Sequence, residues 1–379
     1  MFKKLATTTA LAAAFAVGIF VFNHTAKADD LTIAVAGPMT GQYASFGEQL
    51  KRGSEMAVKD INAAGGVLGK QLKLVIGDDA CDPKQAVQVA NDFVTKGVVF
   101  VAGHFCSGSS IPASDKYIEE GILQITPAST NEKFTDGPAA KGQNTVMRTC
   151  GRDDWQGVFD GSWLAKTYGG KNVAILDDKS PYGQGLANNT QMNMEKAGLK
   201  TALRDTYNAG DKDFSALINK MKQAKIDAVF VGGYHPDVAL MMRQSAEQGF
   251  KAAFVSGDAM NTKEFWSISG PAGEGLRFSD AASAKNLDSA KAVVAEFAKD
   301  NYDPEGYTLT TYAAIQAFAA AAKGTGGTDG AKMADWLRAN GAQTVIGELH
   351  WDAKGDLTKS TYAWYLWHDG NYEQEQPTN

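Results

Sequence analysis

Short apolar runs alternate with longer stretches of helical periodicity from Leu31 onward, and this alternation limits the folds open to the chain. Leu31–Ala36 is an apolar run broken only by Thr32, the pattern of a buried strand. Phe46, Leu50, Ala57 and Ile61 then recur at helical spacing before the Gly65-Gly66 breaker. Leu72–Ile76 reads as the next strand. Asp82-Pro83 reads as an N-cap followed by proline in the first turn. Ala86, Val87, Ala90, Phe93 and Val94 form one helical face that Gly97 ends, and Val98–Ala102 and Ile122–Ile125 are further strands. Strand, helix, strand in unbroken succession requires parallel pairing, right-handed crossovers and helices on both faces of a sheet.

The rhythm restarts after about residue 148. Strands are expected at Val173–Leu176, Ala228–Val231 and Ala253–Val255, with helices at Tyr182–Ala197, Phe214–Lys225 and Asp237–Gln248. Helices around Leu287–Lys299, Leu309–Lys323 and Lys332–Asn340 follow, then terminal strands at Val345–Trp351 and Ser360–Trp367. Two α/β halves without a Pro- or Ser-rich linker predict two lobes joined by short hinge segments. The cleft between them is the expected ligand site, at the carboxyl ends of the strands.

The first residues bear on the compartment. Lys3 and Lys4 precede an apolar run from Ala10 to Phe22, and Ala26-Lys27-Ala28 supplies a small-residue cleavage signature. That order predicts an exported chain whose signal peptide, residues 1–28, is removed. The run is shorter than the roughly 20 residues needed to span a bilayer. Without Lys3, Lys4 and Lys27, 34 basic residues face 43 acidic ones, a net charge of −9. This argues against a nucleic-acid partner, which asks for a basic face.

Gly103-His-Phe-Cys-Ser-Gly-Ser-Ser110 follows the third strand and opens a helix through Tyr117. Free N–H groups at a helix start, together with serine hydroxyls, make an anion cradle. There is no GxxxxGK[ST] and no adjacent lysine, so a carboxylate fits better than a nucleotide. A plain capping serine with no ligand explains the same residues. Cys81 and Cys106 both follow strand ends at one edge, so in an oxidising compartment they are expected to pair, leaving Cys150 as a buried thiol. GxSxG, HExxH and CxxC are absent, and His104, His235, His350 and His368 are scattered, so neither catalysis nor a metal or cofactor is expected.

Dispersed motifs carry a resemblance. Asp78-Asp-Ala-Cys-Asp-Pro-Lys-Gln-Ala86, Gly103-His-x-Cys-Ser107, Pro112-Ala-Ser-Asp115, Thr126-Pro-Ala-x-Thr130 and Tyr182-Gly-x-Gly-Leu-Ala187 resemble the periplasmic leucine/isoleucine/valine-binding proteins. Lys212-Asp-Phe-Ser215, Gly232-Gly-Tyr-His-Pro236, Thr310-Thr-Tyr-Ala-Ala314 and Trp351-Asp-x-Lys-Gly-Asp356 do so too, in order and at compatible spacing. The resemblance implies a two-lobed type I periplasmic binding protein fold of the α/β class, each lobe a mostly parallel sheet flanked by helices. Residues 29–148 and 279–356 would form lobe 1, and residues 149–278 and 357–379 lobe 2. It also implies a periplasmic, monomeric protein that delivers amino acids to an inner-membrane ABC permease, and the Cys81–Cys106 bond.

Carried over position by position, Ser107 and Thr130 would hold a ligand α-carboxylate, and the Ala128 carbonyl would take the ammonium. Tyr182 and Tyr234 would close over the ligand, and Asp258 stands where the family has an ammonium-pairing glutamate. Phe46, Phe105 and Tyr307 would wall the side-chain pocket. Four departures stand out: Asp258 is a methylene short, Ser129 replaces alanine, Phe105 replaces leucine and Tyr307 replaces phenylalanine. The last two are expected to take volume from the pocket, favouring alanine, valine, proline or γ-aminobutyrate over leucine. The same fold serving as an amino-acid or amide sensor for a receptor or regulator is the alternative reading.

Overall fold

The computed structural model describes Met1 and residues 30–376; the expected signal peptide lies outside the described residues apart from Met1. The first sheet has five parallel strands in the order β2-β1-β3-β4-β5: β1 (Leu31–Gly37), β2 (Leu72–Asp78), β3 (Phe100–Gly103), β4 (Leu123–Thr126) and β5 (Val146–Arg148). Between them run α1 (Ala44–Ala63), α2 (Pro83–Thr95), α3 (Ser107–Glu119) and α4 (Lys133–Ala140). Asp82 caps α2 as its pattern requires, its side chain accepting from the Gln85 N–H at 2.8 Å, with Pro83 in the first turn.

The chain then crosses to a second sheet. Its parallel part comprises β6 (Val173–Asp177), β7 (Thr201–Thr206), β8 (Ala228–Gly232), β9 (Ala253–Ser256) and β10 (Arg277–Ala281). The intervening helices are α5 (Asp153–Thr167), α6 (Pro181–Lys196), α7 (Ser215–Gln223), α8 (His235–Glu247) and α9 (Glu264–Ser269), with α5 preceding β6. Next, α10 (Asp288–Lys299), α11 (Thr308–Thr325) and α12 (Gly330–Asn340) return to the first lobe, where α11 packs on α1, β3 and β4. Finally, β13 (Tyr362–His368) and β14 (Asn371–Gln374) extend the second sheet antiparallel, in the order β14-β13-β10-β9-β8-β6-β7. The molecule is α/β and two-lobed. Among the described residues no helix is long and apolar enough to cross a membrane.

Two expectations need correction. Val345–Trp351 is not one strand: β11 (Ala342–Thr344) and β12 (Gly347–Leu349) form a separate hairpin turning at Val345-Ile346. There the Thr344 hydroxyl donates to the Gly347 carbonyl at 2.7 Å and closes the turn. The return to lobe 1, expected at residue 278, follows Ala281, because β10 pairs with β13 along its whole length.

One apolar cluster covers a face of the first sheet under α11, and a smaller one fills the opposite face under α2 and α3. The third is the core of the second lobe, and it continues across the cleft through Tyr43, Phe46, Phe105 and Tyr307 of the first. The lobes therefore meet over aromatic surface.

Candidate functional site

The site is assembled from loops at the carboxyl ends of parallel strands, where open α/β sheets leave a crevice. At the end of β3, Gly103 has φ +144°, and a Cβ there would lie 2.4 Å from the Ala36 carbonyl oxygen on β1. Only glycine permits that approach. Next come His104 and Phe105, then Cys106 at the N-cap of α3 and Ser107 as its first residue. Cys106 is bonded to Cys81, with Cα atoms 5.6 Å apart, which fits ordinary disulfide geometry. Behind the bond, the buried His104 ring joins Asp79 at 2.6 Å through Nδ1 and the Tyr117 hydroxyl at 2.9 Å through Nε2. This chain of hydrogen bonds ties the β2, β3 and α3 segments together beneath Ser107.

The loop after β4 contributes Ala128, Ser129 and Thr130. Buried Arg148 fixes it by donating to the Ser129 carbonyl at 2.7 Å while ion-paired with Asp356 at 2.7 Å. The Ser129 hydroxyl turns inward to the Phe105 carbonyl at 2.9 Å and to the Ser110 hydroxyl at 2.6 Å. Buried Cys150 packs below, its Sγ 3.4 Å from the same Ser129 carbonyl, and burial pushes its thiol up to about 12.

From the second lobe, α6 brings Tyr182. Its first turn lies so close to β8 that a Cβ on Gly232 would sit 2.1 Å from the Gly183 carbonyl. Tyr234 follows β8, and Asp258 opens a short 3-10 turn, Asp258–Met260, after β9. The Asp258 carboxylate is buried and accepts from two phenols: Tyr182 at 2.9 Å and Tyr307 at 2.6 Å. Tyr307 comes from the opposite lobe, where its backbone N–H donates to Gln49 of α1 at 2.9 Å. Burial raises the Asp258 carboxyl above its ordinary value, while the two phenols pull it back down. Burial and this acid both push the phenols of Tyr182, Tyr234 and Tyr307 well up, so they stay neutral donors.

Phe105, Ser107, Ala128, Tyr182, Tyr234, Asp258, Ala259 and Tyr307 line one cavity of about 190 Å³ between the lobes. Seven of these were expected from the sequence; Ala259, next to Asp258, was not. Phe46, Ser129 and Thr130 stand behind the wall. Phe46 stacks on Phe105, centroids 4.4 Å apart, and so props the ring that faces the cavity. Thr130 offers its carbonyl to the Asp153 N–H at 3.0 Å. Tyr43 escaped the sequence reading, and it packs on Tyr234 at 4.6 Å. The cavity's single carboxyl is no metal donor set. Among the described residues, Glu274, His368 and Asp369 gather at the surface beside the β13–β14 turn, already bonded to one another.

A cavity with a helix N-terminus on one lobe and one buried carboxylate on the other suits a small zwitterion. Residues 30–370 match the family model described as periplasmic binding protein. The chain belongs to that family. An amino acid binding protein of Pseudomonas aeruginosa is 44% identical over 99% of this chain and 100% of its own length. A leucine-, isoleucine-, valine-, threonine- and alanine-binding protein of the same species is 42% identical over 94% of this chain and 95% of its own. A crystal structure of a leucine-binding protein from Thermotoga maritima superposes with a TM-score of 0.84 at 27% identity, covering 91% of this chain and 98% of that one. Periplasmic binding proteins of this kind are solute-binding transport components rather than enzymes.

Proposed function

We propose that this periplasmic binding protein is the exported component of an amino-acid ABC transport system, freed by cleavage after Ala28, that passes a small neutral amino acid to the permease. The observation that carries the reading is the placement of Asp258 across a closed cavity from Ser107 at the start of α3. In it, Ser107 and the α3 N–H groups take the ligand carboxylate, with Thr130 behind them, and Asp258 and the Ala128 carbonyl take its ammonium. Tyr182 and Tyr234 cover the ligand when the lobes close.

Alanine, valine, proline or γ-aminobutyrate fits this cavity better than leucine. Phe105, buttressed by Phe46 and edged by Tyr307 at 5.0 Å, cannot swing aside without disturbing both neighbours. The relative named for alanine and threonine as well as branched chains is consistent with a preference that can move toward small side chains.

Thermal melting across the amino acids tests the proposal, because a ligand at about 100 times its Kd adds about 2.7 kcal/mol of stability. Alanine, valine, proline or γ-aminobutyrate should raise the melting temperature more than leucine. No response to any amino acid would refute the function, and a leucine or isoleucine response at least as large would refute the size preference. Restored uptake in a strain lacking the transporter's own binding protein separates delivery to a permease from sensing.

A further inference from the structure

Asn131, the residue after Thr130, reaches from the first lobe into the second. Its own lobe fixes it three times. Its N–H donates to the Ser107 hydroxyl oxygen at 3.3 Å, its carbonyl accepts from Arg148 at 3.2 Å, and its side-chain oxygen accepts from the Lys133 N–H at 3.1 Å. The last contact leaves the amide NH₂ pointing across the cleft. There it donates to the Pro181 carbonyl at 2.8 Å, in the first turn of α6 and next to Tyr182, and it lies 3.5 Å from the Asp153 carboxylate. Asn131 is only 4% exposed, so its amide has left water to make these contacts.

Both lobes are notched to admit this contact. A Cβ on Gly185 of α6 would lie 2.4 Å from Asn131 Nδ2 and 2.7 Å from the Asp153 carboxylate. A Cβ on Gly108, the residue after Ser107, would lie 3.3 Å from the Pro181 ring. Gly185 does not line the cavity, although it belongs to the Tyr182-Gly-x-Gly-Leu-Ala187 motif. One turn further along α6, the Asn189 amide donates to Glu132 of the first lobe at 2.5 Å. The seam therefore runs from the carboxylate end of the cavity out along α6.

We propose that Asn131 is a positioning residue that couples capture of the ligand carboxylate to closure of the lobes. Its N–H occupies the Ser107 oxygen, so the Ser107 hydroxyl keeps its own proton for the carboxylate. The same residue then carries its amide NH₂ into the Gly185 notch, where it latches α6 and holds Tyr182 over the cavity. Ligand meets the first lobe before the lobes close, so the latch acts on release rather than on capture. The inference rests on the amino-acid reading of the cavity and adds to it the residue that sets how long the ligand stays.

Asn131→Asp isolates the latch, because it removes the NH₂ donor and keeps the rest. The side-chain acceptor for the Lys133 N–H remains, as do the backbone contacts to Ser107 and Arg148. On closure the new carboxyl meets the Pro181 carbonyl of α6, Asp153 of α5 and Glu132 beside it, while Arg148 of β5 is already paired with Asp356. These neighbours raise its proton affinity in the closed form above the ordinary carboxyl value near 4. Relative to wild type, the variant's affinity is therefore lowest at alkaline pH and recovers as pH falls, when the protonated carboxyl can donate to Pro181.

Stopped-flow binding of alanine and of leucine at pH 7.5 and pH 5 measures capture and release separately. At pH 7.5 Asn131→Asp should release ligand at least about fivefold faster than wild type, with association within about twofold and the unligated melting temperature unchanged. At pH 5 the excess release should shrink. Gly185→Ala fills the notch from the other side and should also speed release, and its effect combined with Asn131→Ala should fall short of the sum. Wild-type release rates in Asn131→Asp, an excess equal at both pH values, or strict additivity at the notch would overturn the proposal while leaving the amino-acid function standing. So would a loss of unligated stability in place of faster release, which marks a residue that only holds the fold. No binding of any amino acid by the wild-type protein would overturn both.

Discussion

Replacing Asp258 by asparagine separates binding from stability. Both of its oxygens accept phenolic hydrogen bonds, and burial already raises its carboxyl, so ionising it between the closed lobes is unfavourable without a cation. An amide of the same shape removes that charge, and the Tyr182 and Tyr307 hydroxyls can rotate to accept from its NH₂. Without ligand, Asp258→Asn should melt at or above the wild-type temperature. The ammonium, however, loses a charged acceptor. Hydrogen bonds to charged groups contribute about 1.5–3 kcal/mol, a loss of roughly 10- to 150-fold in affinity at about 1.4 kcal/mol per tenfold.

The assay is calorimetric titration with alanine and γ-aminobutyrate at pH 7.5, paired with melting of the unligated protein. The combination is diagnostic because a structural aspartate would show the reverse, lower stability with affinity lost only through misfolding. Affinity within twofold of wild type would place the ammonium partner elsewhere. A fall of several degrees in the unligated melting temperature would show that Asp258 is there to hold the fold, and the reasoning about the cavity would fail with it.

Phe105→Leu should shift selectivity toward leucine by about 1 kcal/mol, near one buried methylene, while costing about 0.5–1.5 kcal/mol of stability from the lost stack on Phe46; competition binding with an unchanged leucine-to-alanine ratio would refute it. Saturating alanine should lower the radius of gyration in small-angle scattering as the lobes close, and an unchanged curve would refute closure. Burial pushes Asp178 up to about 7 and Asp237 up to about 6, so both favour the folded state when protonated, and that stability is lost as pH rises from about 4 through 7. Asp178→Asn should therefore melt higher than wild type at pH 8, by about 2–4 °C per kcal/mol recovered, with little difference at pH 5; equal gains at both would refute the assignment. Tyr307→Phe and Asp258→Glu should each weaken alanine binding, yet their combination should recover about 0.5–3 kcal/mol relative to the sum; strict additivity would refute their coupling.

How far the fold was legible depended on burial. Strands such as β1, β3, β6 and β8 are covered on both faces and so read as largely apolar runs. By contrast β7, Thr-Ala-Leu-Arg-Asp-Thr, is an edge strand with half-exposed side chains, and no apolar run marks it. The same holds for β10, Arg-Phe-Ser-Asp-Ala, whose charged ends face Glu375 on one side and the Asp258 neighbourhood on the other. Helix α5 escaped for a related reason: its inward face carries Asp153, Gln156, Gly157, Asp160 and Gly161, which no hydrophobic period reveals. Those polar and small residues pack closely against α6 and face Asp258. The cavity wall was legible through the resemblance carried over position by position; Ser107 was also marked by its place after β3, whereas Tyr307 lies between α10 and α11, past no strand end. The place of β10 beside β9 was not, since it requires knowing that β10 is a strand and which neighbour it joins.

The departures from the branched-chain pattern are better understood as a pair than as separate losses of volume. Judged by size alone, Tyr307 adds an oxygen that should intrude on the ligand, and Asp258 lacks a methylene that should let it fall short. In the structure each answers the other. The Tyr307 hydroxyl extends to Asp258 rather than into the space for a side chain, and with Tyr182 it holds the shorter carboxylate at the cavity wall. The contact also joins the two lobes, so the group proposed to recognise the ammonium would contribute to closure. Narrowing of the side-chain pocket then falls chiefly to Phe105, whose ring is backed by Phe46 and edged by Tyr307. On the proposed function, selectivity for charge and selectivity for size would then sit on different residues, and a substitution at Phe105 should retune which amino acid is taken without changing the demand for an ammonium group.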